Sequence, residues 1–218
     1  MHAAPITKFQ AICSTRRVDV VAPALLAQLP SAAAQACFRS VYGPHAGGWL
    51  LSGGGMEDIY LENDVFITPA RLRLGLPLQG SHEATVCLCG ATVDRIGHHL
   101  LHCHTGGALI PAHNAMRDRL ALIFRMAGYG VEVEVLGQLL ETAEVDLEQR
   151  TDLVLHKGGQ KILCDVTIRC PTCPSRVRRA ARATRIAARD GELAKERDYQ
   201  HRPAGVRFIP AAFESFGV

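Results

Sequence analysis

The sequence predicts an α+β fold whose chemistry is carried by one antiparallel hairpin. Three observations lead there. Residues 150–168 alternate apolar and polar side chains on either side of Gly158-Gly159, the pattern of two strands joined by a two-residue turn in which both residues take positive φ. An apolar-periodic helix and an alternating strand precede this hairpin, and an Ala/Arg-rich helical stretch and a last strand follow it. Residues 81–107 instead concentrate cysteine and histidine with little regular pattern, as a small metal-organised module does.

From the N-terminus, residues 18–42 carry helical patterning (Val20, Leu25, Leu26, Leu29, then alanines to Phe38), with breaks at Pro23 and Pro30. Gly43-Pro44 and the glycines from Gly47 to Gly55 make a flexible connection around Trp49, and a second helix is expected over 64–74, ended by Leu76-Pro77. Residues 111–127 read as a helix: Pro111 suits a first turn, and Met116, Leu120, Ile123 and Ala127 recur on one face. Gly128-Tyr129-Gly130 stops it, and residues 131–135 alternate as a strand. After the hairpin, Pro171 and Pro174 break the chain. Ser175 is then placed to cap a long helix running toward Tyr199, interrupted near Asp190-Gly191, and a final strand is expected over 205–209.

Closing the hairpin on the two glycines sets Lys157 opposite Gln160 and Asp152 opposite Asp165. Directly opposed side chains lie on one face with Cβ atoms about 4.5–5.5 Å apart, so two carboxylates there repel unless a cation offsets them. A divalent ion such as Mg²⁺ does so, taking carboxylates together with phosphate oxygens. Two solvated acids on an open face are the bland alternative. Against it, Leu153, Leu155, Ile162, Cys164, Val166 and Ile168 fall on one face, while the acid-bearing face also holds Val154 and Leu163, so both faces are expected to be covered.

Cys87-Leu-Cys89, then His98-His99 and Cys103, give C-x-C-x9-H-x3-C with His99 as third ligand, or C-x-C-x8-H-x4-C with His98. Either set, Cys87, Cys89, His99 (or His98) and Cys103, suits a closed, structural tetrahedral zinc site. His102 and His104 are reserves. Cys170-Pro-Thr-Cys173 lacks two further ligands nearby in sequence and is expected to be a pair of loop thiols.

The chain has 218 residues and a net charge of +3, but residues 169–207 hold eleven Lys/Arg against four Asp/Glu, a local +7. A basic patch of this kind suits a polyanion such as nucleic acid. Eight cysteines without a secretion-type leader are expected to be reduced thiols or metal ligands in an intracellular protein, nuclear or cytoplasmic, and no apolar run is long enough to span a membrane.

Cys87-x-Cys89-Gly90, Asp94, Gly97-His-His99, Cys103, His113-Asn114, Arg150-Thr-Asp152 and Cys164-Asp-Val-Thr-Ile168, in that order, resemble the C-terminal end of non-LTR retrotransposon polyproteins, where a CCHC zinc knuckle precedes a restriction-like endonuclease of the PD-(D/E)XK class. Residues 70–77 and Trp49-Leu-Leu are similar to the linker between reverse transcriptase and knuckle, and Phe208-Ile-Pro210 with 213–217 to the closing strand. The resemblance covers roughly residues 45–217. It implies a restriction-endonuclease-like αβββαβ core that nicks target DNA with Mg²⁺ to prime copying of the element RNA, and three parts: a helical linker segment (1–80), the knuckle (81–107) and the endonuclease (108–218).

Carried over, Asp152 matches the acid of the PD motif, with Thr151 in place of proline, and Asp165 matches the second acid. The lysine expected two residues later is Thr167, so the resemblance moves that role to Lys195 on the following helix. Glu134 (or Glu132) would supply a further acid. Arg179, Arg182 and Arg185 suit phosphate contacts, since arginine stays charged and binds phosphate in a bidentate way. The chain is too short to hold a reverse transcriptase ahead of this region and is expected to be a piece of such a polyprotein. Two other classes stay open: a noncatalytic nucleic-acid-binding module, and a zinc-stabilised interaction domain.

Overall fold

The computed structural model describes residues 20–42, 63–78, 85–105, 109–137 and 150–217. The expected connection around Trp49 lies outside them. Elements run α1 (20–28), α2 (Ala32–Val41), α3 (Asn63–Arg73), β1 (Thr85–Val86), β2 (Thr92–Val93), a 3-10 turn (His98–Leu101), α4 (Leu109–Met126), β3 (Gly130–Leu136), β4 (Arg150–Lys157), β5 (Gln160–Arg169), α5 (Val177–Ala180), α6 (Ile186–Asp198) and β6 (Arg207–Glu214). The fold is α+β. Its main sheet has four strands in the order β3-β4-β5-β6, antiparallel except for the parallel β5–β6 pair.

The hairpin closes in the expected register. Gly158 and Gly159 both have positive φ (58° and 76°), and Lys157 faces Gln160, His156 faces Lys161, and so on to Leu153 facing Cys164. Both faces of the hairpin are covered. Leu153, Leu155, Ile162 and Cys164 pack with Ala121, Leu120 and Phe124 of α4, while Val154 and Leu163 on the opposite face pack with Tyr199, just beyond α6, and with Phe208. This two-sided burial explains why the second face is half apolar in sequence.

Strand β3 changes face midway. Val131 and Val133 pack with the α4-side core, but Val135 joins the Tyr199 side, and the residue between, Glu134, has φ of 54°. A left-handed residue in a strand breaks strict alternation. The β3–β4 pairing accordingly runs Val133–Leu153 and Val135–Thr151 and skips Glu134–Asp152.

Three expectations need correction. Pro23 does not break the chain but lies in the first turn of α1, where its missing N–H leaves no intrahelical bond unmade. The helix expected from Ser175 to Tyr199 is two helices, broken at 181–185 rather than at Asp190-Gly191, and the residue before α5 is Arg176, with no side-chain cap from Ser175. The restart of α6 is capped from across the fold: the buried Glu214 carboxylate on β6 accepts the Ala187 and Ala188 amides at 2.8 and 3.3 Å, satisfying first-turn donors that no neighbouring residue satisfies. The last strand is also longer than 205–209 and includes Pro210, which an edge strand tolerates.

Gly191 is a packing residue, not a break. A Cβ there would stand 2.8 Å from Thr167 Cγ2 and 3.2 Å from Arg169 Cγ on β5, so the missing side chain is what lets α6 lie against the strand. We expect Gly191→Ala to destabilise the protein by about 1–3 kcal/mol through overpacking, against a helix-propensity gain of about 1 kcal/mol. A urea melt reads the sign directly, and a stabilised variant would contradict the close approach.

The segment before the sheet does not stand apart from it. Arg39 on α2 donates to Ala181 O at 2.9 Å, Ala36 packs with Ala180 and Ala181, and His98 meets Phe216 edge-on at 5.9 Å between centroids. An apolar recess between these parts is lined by Leu72, Leu100, Leu109, Met116, Ile168 and Phe216, among others. No helix among the described residues is long and apolar enough to cross a membrane.

Candidate metal centres and the acidic pair

Asp152 sits where the sheet opens. The β4–β5 ladder ends at Leu153–Cys164, one pair short of Asp152 and Asp165, and β3 skips it on the other side. Its side chain takes over the pairing, since Oδ2 accepts the Val166 amide at 2.7 Å. Asp165 is the next residue in register on β5, and it is buried.

Three residues from two parts of the chain converge on the pair. On α4, His113 Nε2 lies 3.1 Å from both Asp152 Oδ2 and Val166 O. Both neighbours are acceptors, so Nε2 carries the proton and donates to them. On α6, Lys195 Nζ lies 3.1 and 3.2 Å from the two Asp165 oxygens. The Tyr199 hydroxyl, beyond the end of α6, donates to Asp165 Oδ2 at 2.7 Å and lies 3.2 Å from Thr151 Oγ1. Ligand atoms of His113, Asp152 and Asp165 all fall within 4.8 Å of one another.

This environment splits the two acids. Burial raises the Asp152 carboxyl, but hydrogen bonds from His113, the Asp165 carboxyl and the Val166 amide outweigh it and hold Asp152 well below the usual carboxylate range. Burial drives Asp165 the other way, reinforced by its hydrogen bond and charge repulsion with Asp152 and only partly countered by Lys195 and Tyr199. The hydrogen bond to Asp152 raises His113 despite burial. The two shifts are linked, since a charge on one carboxyl disfavours a charge on its neighbour.

The sequence-derived residues fall into two groups. Asp152, Asp165 and Lys195 are brought together. Glu134 is not: its carboxylate is held by Arg117 and by Arg150 at 3.0 Å, and it is not part of the His113/Asp152/Asp165 group. Arg179 makes a bidentate pair with Asp190 at 3.0 Å, Arg185 lies 3.6 Å from Glu192, and Arg182 is exposed.

His113, Tyr199 and Arg169 stand at the site although the spacing assigned them no role. Arg169, at the end of β5, has a buried Nε with no hydrogen-bond partner, and it lines a groove with Lys195, His113 and His104. Only the adjacency His113-Asn114 at a helix start gave any sequence signal.

The second centre is compact. Cys87 and Cys103 Sγ atoms are 3.5 Å apart, Cys89 Sγ and His99 Nε2 are 3.3 Å apart, and all four ligand atoms lie within 4.8 Å of one another. Tetrahedral zinc with its usual bond lengths needs ligand separations of about 3.5–3.8 Å, so the Cys87/Cys89/His99/Cys103 cluster could hold a zinc ion. The choice between histidines is settled by position. His99 is presented by Asp94, whose carboxylate accepts the Ile96, His98 and His99 amides at 2.9–3.1 Å, while His98 turns inward onto Phe216. Cys170 and Cys173 bond locally, to Thr172 and Ser175 hydroxyls, and join no metal-type group among the described residues.

Compared with protein-family models and with curated proteins, the chain matches none.

Proposed function

We propose that the protein is a metal-dependent endonuclease that nicks DNA, with a restriction-like αβββαβ core and a zinc knuckle beside it. One observation carries the proposal: Asp152 and Asp165 meet at the open end of the hairpin, with the Lys195 ammonium 3.1 Å from Asp165. The order α4, β3, β4, β5, helix, β6, with a parallel last strand, supports the same core.

The donor set fits a divalent ion, since two carboxylates and an imidazole nitrogen lie within 4.8 Å of each other and the Val166 carbonyl is next to them. Mg²⁺ bound there would offset the charge of a phosphodiester and make a bound water more acidic. The chain's own residues do the rest. Asp152 and Asp165 would hold the ion. Lys195, fixed by Asp165, offers a positive charge to the phosphate oxygens in place of the lysine that Thr167 replaces. Tyr199 fixes the Asp165 rotamer. Arg169 lines the same groove, and its guanidinium can bind the flanking phosphate.

Nicking of supercoiled plasmid in Mg²⁺ tests this. We expect wild-type protein to convert the plasmid to the open circle and Lys195→Met to do so about 10²-fold more slowly, the loss associated with one preorganised electrostatic group. Equal rates would remove Lys195 from the machinery.

A second reading, a noncatalytic nucleic-acid-binding module, is favoured by Thr167, which stands where the nuclease motif carries its lysine. Steeply salt-dependent DNA binding without cleavage in Mg²⁺ or Mn²⁺ would select it.

A further inference from the structure

His113 stands against the acidic pair from α4. Its Nε2 lies 3.1 Å from Asp152 Oδ2 and 3.1 Å from Val166 O, and one of its ring nitrogens is within 4.8 Å of an Asp165 oxygen. Adjacent ligands of an octahedral ion stand about 3 Å apart when bond lengths are near 2.1 Å. The imidazole nitrogen therefore already sits at the spacing of a ligand adjacent to Asp152.

The other ring nitrogen is placed to fix the tautomer that ligation needs. A ligating histidine generally donates its other ring N–H to an oxygen, which fixes the tautomer. His113 Nδ1 lies 3.4 Å from Asn114 Oδ1, and Arg117 Nη1, at 3.4 Å from that same oxygen, helps hold the amide. Moving the imidazole proton from Nε2 to Nδ1 frees the Nε2 lone pair without changing the charge of the ring. The adjacency of His113 and Asn114 in sequence then has a chemical reason.

We propose that His113 is a third protein ligand of the acidic-pair metal site and that its nitrogen selects a transition-series divalent ion, of which Mn²⁺ is the representative, over Mg²⁺. The inference rests on the metal-dependent reading above and names the ion class. Mg²⁺ prefers oxygen donors and keeps its waters. Imidazole nitrogen shifts affinity toward the first-row transition metals, which bind mixed nitrogen and oxygen sets more tightly.

The test needs neither DNA nor catalysis. Mn²⁺ binding to zinc-replete protein is followed by the electron paramagnetic resonance of free and bound Mn²⁺, with Mg²⁺ affinity obtained by competition. We expect wild type to hold Mn²⁺ at least about 10-fold more tightly than Mg²⁺ and to show nitrogen-14 coupling from a bound imidazole. His113→Ala should lose that coupling and about 10-fold or more in Mn²⁺ affinity, with Mg²⁺ affinity changed less than about two-fold. Asn114→Ala, which leaves the His113 ring in place, should weaken Mn²⁺ by a smaller factor and guards against misfolding as the cause.

Unchanged Mn²⁺ affinity in His113→Ala, or equal loss for both ions, overturns the ligand assignment and leaves the acidic-pair site standing. If Asp152→Asn and wild type bind both ions equally, the metal-dependent reading falls, and this inference with it.

Discussion

Asp165→Asn is expected to lower plasmid nicking by about 10³-fold or more while the protein still folds and binds DNA. The carboxylate has three partners at once: Lys195, Tyr199 and the neighbouring Asp152. Asparagine keeps the shape and an acceptor for the Tyr199 hydroxyl, so the core around Val154 and Leu163 stays packed. It removes the charge that would hold a divalent ion and that pairs with the lysine. Charge stabilisation by a catalytic metal is worth several kcal/mol, and about 4 kcal/mol is a thousand-fold in rate. Plasmid nicking alongside a thermal melt and a DNA-binding isotherm separates the effects. Wild-type nicking by a folded Asp165→Asn protein would end the assignment of this residue. The same variant relieves the repulsion between two partly buried acids, so its melting temperature is expected to fall little or to rise.

Cys103→Ser should abolish stoichiometric zinc and unfold residues 85–105. This segment has two strands of two residues each and one 3-10 turn, far too little apolar burial to order itself. Zinc binding of about 10–16 kcal/mol in small modules is what would fold it, so losing one thiolate removes the largest stabilising contribution. Metal analysis reads the zinc, and amide hydrogen exchange reads the order. Exchange should rise across 85–105 while β3–β6 keep their protection. His98 should also lose its contact with Phe216, so faster exchange near the C-terminus is part of the expected pattern. Full zinc content in the variant would mean that the four-ligand set is wrong.

The hairpin was legible because its information is local. Two glycines with positive φ fix the turn, the turn fixes the register, and the register decides that Asp152 meets Asp165. The cysteine–histidine cluster was legible for a related reason, since all four residues lie within seventeen consecutive positions, although His98 and His99 fit the spacing equally well. The core strand and helix order followed from periodicity. Glu134 misled because a strand acid near the ladder end looks available, whereas the left-handed backbone at that residue carries its carboxylate to Arg117 and Arg150.

The α6 region shows the limit most clearly. Gly191 inside an Ala/Arg-rich run has the local appearance of a break, yet its role is to bring the helix onto Thr167 and so carry Lys195 to Asp165. The actual break, at 181–185, is made possible by a cap from Glu214, which lies 27 residues beyond Ala187. Neither fact has a trace in nearby spacing. The sequence alone determined the α+β order, the turn, the opposed acids and the cysteine–histidine cluster, because each depends on residues a few positions apart. Only the tertiary structure decided that His113, Lys195 and Tyr199 gather on those acids, that His99 and not His98 faces the thiols, and that Arg169 lines the groove beside them. Those outcomes are set by how α4, α6 and the C-terminal strand pack on the sheet, a long-range balance of steric fit and burial that no short stretch of chain encodes.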